Sequence, residues 1–129
     1  RYATTPETAI MGESLAGLFV VETLLREPAL FDTYIALDPS LWWNRGGLVD
    51  EAEALLALHA PQGKTVFVAT SAERGIAVPS ARFMEALTAH APGVRRRYVA
   101  LPDESHQTLY HPAALLALRS LFTPVAATP

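Results

Sequence analysis

Cysteine is absent from all 129 residues. That excludes disulfides, thiolate zinc sites and a cysteine nucleophile, and it leaves the redox compartment open. Long apolar runs are scarce. The longest, Leu15 to Leu25, contains Glu22 and is too short to cross a bilayer. No signal-peptide pattern is visible. Positive charge is scarce too: the net charge is −3, which argues against nucleic acid or an anionic membrane as a main partner. The one basic run, Arg95-Arg96-Arg97, reads as solvated surface. There is no His-Glu-x-x-His, no glycine-rich phosphate loop and no carboxylate cluster, so neither a metal nor a nucleotide cofactor is expected. His59 and His90 lie near helix ends, where a cation suits the dipole, and His106 and His111 lack a helical metal-ligand spacing.

Half of the residues are hydrophobic, enough for a substantial core in one domain spanning residues 1–129. The chain opens on Arg1 rather than Met, which leaves room for a segment upstream. Four apolar runs read as strands: Ala9–Met11, Tyr34–Leu37, Thr65–Thr70 and Arg97–Leu101. Their shortness and β-branched content suit strands buried on both faces. Helical patterns lie between them, over Leu15–Glu27, Leu48–His59, Ser80–Ala91 and about Pro112–Phe122. Ser80 reads as a cap, Pro112 as a first helical residue, and Pro124 with the residues after it as a frayed end. Strand–helix alternation predicts βαβ units, hence a parallel sheet between helical layers: a three-layer α/β/α architecture. In such sheets functional groups gather at the carboxyl ends of the strands.

The run Met11-Gly12-Glu13-Ser14-Leu15-Ala16-Gly17 sits between the first strand and the first helix. It reads as a nucleophile elbow, the strained turn that presents a catalytic serine. Small residues on either side of the serine let strand and helix approach; Gly12 fits, while the second position after Ser14 holds Ala16 in place of glycine. Taken alone, Ser14 also reads as a helix N-cap and Gly12 as a turn residue. The rest of the chain favours the first reading. Glu73 follows the third strand and His106 follows the fourth, the chain order of a Ser–acid–His triad. An imidazole can take the serine proton near neutral pH, and a carboxylate fixes the imidazole tautomer. Glu73 is the expected acid, with a surface pair to Arg74 as its alternative. Asp103 and Glu104 are rivals too close to His106 in sequence to reach its far nitrogen easily, and a pair with no strong acid stays open. Trp42 and Trp43, just past the second strand, can wall a pocket for a bulky acyl group or anchor the core. Asp38 beside them reads as a turn residue bonded to nearby backbone.

With MGESLAG at 11–17, the run from Leu18 to Asp32, DPSLWWN at 38–44 and Asp103-Glu104-Ser105-His106, the chain resembles the serine esterases of the α/β-hydrolase superfamily that are similar to siderophore trilactone esterases, with the esterase D group further off. The resemblance implies Ser14 as nucleophile, His106 as base and the Leu15 N–H as an oxyanion donor. Glu13 stands where many members have histidine, which marks it as a substrate contact alongside Trp42 and Trp43. The family's domain is about twice as long, so the chain matches its C-terminal half. The absent half would carry a second oxyanion donor, whose loss typically costs about 10²–10³ in rate. It would also leave the first strand as an open edge, apt to pair with that half or with another copy. The expected partner is therefore a small-molecule ester, with no cofactor. A non-catalytic hydrolase-like binding module and an acyltransferase using the same serine are the competing readings.

Overall fold

The apolar runs are short because each strand crosses the molecule once and hands over to a helix. In the computed structural model, which describes residues 2–123, the order is β1 (Ala9–Glu13), α1 (Leu15–Arg26), β2 (Thr33–Leu37), α2 (Trp43–His59), β3 (Thr65–Thr70), α3 (Arg74–His90), β4 (Arg95–Ala100) and α4 (Tyr110–Leu121). The four strands form one sheet in the order β1-β2-β3-β4, and every pair is parallel. Parallel neighbours need a crossover, which each intervening helix supplies.

Alternate residues of the central strands supply two cores. Tyr34, Ala36, Val66 and Val68 pack under α1, α2 and α3, against side chains such as Leu24, Leu56 and Phe83. Ile35, Leu37, Phe67 and Ala69 point the other way and meet α4 through Leu109, Ala113 and Ala117. The result is a three-layer α/β/α arrangement, with three helices on one face and one on the other. Full burial of a side chain such as Phe67 or Leu37 contributes roughly 1.5–3 kcal/mol.

The two sheet edges differ in chemistry. β4, an edge strand, carries Arg95, Arg96 and Arg97, and charge on an edge discourages pairing with another chain. All three are exposed, as expected from the sequence, and the strand starts at Arg95, two residues earlier than the expected Arg97. Arg96 donates to Thr88 Oγ1 and to the Val94 carbonyl, and the Arg97 guanidinium lies 5.9 Å from the centre of the Phe67 ring. Along β1, by contrast, Met11 and the neighbouring Leu15 and Phe19 of α1 are exposed.

The helix starts also differ from expectation. α3 begins at Arg74, not at Ser80, because the N–H groups of Ile76 and Ala77 both donate to the Glu73 carbonyl and buried Ile76 holds that first turn on the sheet. Pro79 is accommodated within the helix, and Ser80, expected as a cap, is fully buried with its hydroxyl unpartnered. α2 opens with a left-handed turn at Asn44, Arg45 and Gly46 (φ 51°, 57° and 77°), ahead of the regular turns expected from Leu48. α4 starts at Tyr110, which makes Pro112 its third residue, still inside the turn where no N–H is needed. Pro124 and the residues after it, read as a frayed end, lie outside the described residues. Among the described residues no helix is long and apolar enough to cross a membrane.

Candidate active site

The sheet ladder runs one residue past the ends of β1 and β2, and the site hangs from those extra rungs. The Ser14 N–H donates to the Leu37 carbonyl at 3.0 Å, and the Asp38 N–H donates to the Ala69 carbonyl at 2.8 Å. Beyond β4, the Leu101 N–H donates to the Thr70 carbonyl at 2.8 Å, and the Ala72 N–H reaches across to the Glu104 carbonyl at 3.1 Å. The turns bearing Ser14, Asp38 and His106 are therefore all fixed to the carboxyl end of one sheet.

Two of these residues are held in conformations that L-residues avoid. Ser14 has φ 59° and ψ −120°, and Asp38 has φ 44°. Such positions cost on the order of 1–3 kcal/mol each and persist only where the surroundings over-determine them. At Ser14 those surroundings are visible. A Cβ on Gly12 would lie 2.5 Å from the Ala16 carbonyl oxygen, and a Cβ on Gly17 would lie 2.9 Å from the Pro39 Cα. Gly12 thus makes its close approach to Ala16, the second residue after the serine, while Gly17, the third, packs against Pro39 in the turn after β2. Ala16 is exposed and tolerated.

The side chains converge. His106 Nε2 lies 3.1 Å from Ser14 Oγ, and His106 Nδ1 lies 2.9 Å from Asp38 Oδ2. The other Asp38 oxygen, Oδ1, accepts the Ser71 N–H at 2.6 Å. Asp38 is fully buried and Ser71 nearly so. A buried carboxylate needs partners for both oxygens, and this one has them. The imidazole itself is half-buried. Ser14 Oγ has a second neighbour, Ser40 Oγ, at 3.3 Å.

Glu73, the acid expected from the sequence, does not reach the ring. Its Oε1 accepts the backbone N–H of His106 at 3.2 Å. The carboxylate at Nδ1 is that of Asp38, whose place after the second strand predicts an ordinary turn residue. No hydrogen bond joins the Asp103 or Glu104 side chain to His106 among the described residues. One signal for Asp38 was available: it directly follows four residues that are all buried, Tyr34 to Leu37, so an acid at that point stands at the floor of the site rather than on the surface.

Leu15 opens α1, where a helix leaves its first N–H groups without intrahelical acceptors. Its N–H has no backbone partner among the described residues. Glu13 ends β1 and is half-buried. Trp42 and Trp43 are both about half-exposed and meet edge-on, with ring centres 5.9 Å apart. They anchor no core. They line a groove of about 650 Å³ with Leu18, Glu22, Arg26 and Leu48. Trp42 also borders a second cleft, of about 430 Å³, beside Arg45, Arg74 and Val78. A further hollow of about 350 Å³ lies at the amino ends of the strands, away from these residues.

No family profile matches the chain. Individual relatives do. It is 40% identical over 50 residues to a siderophore enterobactin esterase of Emericella nidulans, a match covering 39% of this chain and 16% of that one. It is 35% identical over 63 residues to the ferri-bacillibactin esterase BesA of Bacillus subtilis, covering 49% of this chain and 22% of that one. Among solved structures, an IroE-like serine hydrolase from Shewanella oneidensis superposes with a TM-score of 0.79 at 25% identity, over 88% of this chain and 39% of its own. The siderophore hydrolase EstB of Aspergillus nidulans gives 0.74 at 20% identity, over 95% of this chain and 52% of its own. The matches thus span at most about half of those proteins. Over the stretch it covers, the chain has the α/β-hydrolase fold and is similar in sequence to the named siderophore esterases.

Proposed function

We propose that the protein containing this chain is a serine esterase that works through an acyl-enzyme. The observation that carries the reading is the alignment of Ser14 Oγ, the His106 ring and the buried Asp38 carboxylate, with contacts of 3.1 and 2.9 Å. Asp38 accepts a hydrogen bond from Nδ1–H, which keeps the proton on that nitrogen and leaves Nε2 bare to take the Ser14 proton. Ser14 attacks the ester carbonyl as that proton moves to His106, and the leaving alcohol takes the proton back. Water, activated by His106, then attacks the acyl-enzyme. The Leu15 N–H is one donor to the oxyanion. The role given to Glu73 by the sequence passes to Asp38, and Glu73 supports the loop that carries His106.

The half-exposed Trp42 and Trp43 beside a groove of about 650 Å³ suit a bulky acyl or alcohol group. Siderophore-type esters are the substrate class that the named relatives suggest. The bare apolar flank along β1 is read as the face that a further part of the polypeptide covers, completing the oxyanion site. The test is treatment of the full-length protein with a fluorophosphonate, followed by intact mass and peptide mapping. A single adduct on Ser14, lost in Ser14→Ala, is the expected result. A folded protein without that adduct would leave a binding module built on the same fold.

A further inference from the structure

Ser40 lies two residues past Asp38 and is almost fully buried. Its hydroxyl has one partner among the described residues, Ser14 Oγ at 3.3 Å, and its backbone N–H donates to the Ser14 carbonyl at 3.0 Å. The direction of the hydroxyl contact follows from the rest of the chain of bonds. Nδ1 of His106 faces a carboxylate and must donate to it. In the neutral ring Nε2 is then the acceptor, and the single Ser14 proton is directed there. Ser14 Oγ has no proton left for Ser40, so Ser40 is the donor.

We propose that Ser40 is a functional donor to the nucleophile: it holds the Ser14 hydroxyl on line with His106 and stabilises negative charge on Oγ as the oxygen enters and leaves the acyl linkage. This rests on the esterase reading above. In acylation the Oγ–C bond forms, the carbonyl π pair moves to the carbonyl oxygen and the Oγ proton moves to Nε2. In deacylation the C–Oγ bond breaks, its pair returns to Oγ, and the proton comes back from Nε2. Ser40 keeps its own proton throughout. Its hydrogen bond strengthens whenever Oγ carries charge and weakens when Oγ is an ester oxygen, so its effect falls on the transition states rather than on substrate binding.

The experiment compares the full-length wild type with Ser40→Ala, Ser40→Cys and Ser40→Thr. It reads the second-order rate of Ser14 modification by a fluorophosphonate and kcat and KM for p-nitrophenyl acetate. Loss of one neutral hydrogen bond predicts a rate about 3- to 10-fold lower in the Ala and Cys variants, with KM unchanged and the adduct still on Ser14. The Thr variant, which restores the donor, should return to within about twofold. Melting temperatures separate packing from chemistry, and Cys decides if Thr is destabilised, since a thiol keeps the volume but donates weakly. Wild-type rates in both Ala and Cys overturn the proposal. So does a Thr variant as slow as Ala at an unchanged melting temperature. A wild type that forms no Ser14 adduct overturns the esterase reading itself, and this proposal with it.

Discussion

The turns after β2 and β3 each send a carboxylate to His106, but to different atoms and from different surroundings. Asp38 is fully buried, sits in a strained left-handed conformation, and meets the ring nitrogen with one oxygen while the Ser71 N–H holds the other. Glu73 is exposed, sits in ordinary extended backbone and holds the main chain of His106. The first contact fixes which ring nitrogen carries the proton. The second fixes only where the loop lies. Two carboxylates thus divide into one that meets the ring, where the proposed mechanism needs it, and one that tethers the main chain, and burial with backbone anchoring makes the difference.

The sharpest way to break this division is Asp38→Asn. It keeps the shape but lets the ring adopt the wrong tautomer, and kcat for ester hydrolysis should fall by about 10³- to 10⁴-fold. A loss within tenfold would mean that Asp38 is structural. Glu73→Gln should cost no more than about 2- to 5-fold, because an exposed hydrogen bond to backbone is worth little. If kinetics show Glu73→Gln to be the more damaging change, the assignment is reversed.

The smallest effect is expected at a third carboxylate, at the opposite end of the sheet. Asp32 Oδ2 accepts the Thr8 N–H at 2.8 Å, and this bond, with Lys64 nearby, holds its carboxyl below the usual range. A lowered folded-state value stabilises the fold above the unfolded value and loses that contribution as pH falls. Asp32→Asn should therefore leave kcat unchanged, lower the melting temperature slightly at neutral pH, and make no difference in acid. Melting curves across pH, run beside the kinetics, would check both halves.

The sequence pointed to Ser14 and His106, which the structure brings to 3.1 Å of each other, because both belong to local patterns: a strand-to-helix elbow for Ser14, and a loop after the last strand for His106. The sheet was legible for a similar reason, since each strand is a short buried run. Asp38 was not legible because its role depends on three chain segments meeting. Asp-Pro after a strand looks like any turn, and only the Ser71 N–H and the His106 ring, 33 and 68 residues away, make it something else. The start of α3 was hidden for a related reason: Pro79 suggests a break, and the packing of Ile76 overrides it.

The backbone of Ser14 has a bearing on the chain's evolutionary history. Glycine takes φ 59° and ψ −120° without penalty, and serine does not. At Ser14, as at the left-handed Asp38, the backbone conformation suits glycine better than the residue present. Ser14→Gly should end ester hydrolysis and raise the melting temperature together. On the mechanism proposed above, chemistry rather than stability is what holds a serine at position 14. In descendants freed from the need for hydrolysis, position 14 is where drift should act early, and a glycine there would mark a lineage that had kept the fold and given up the reaction.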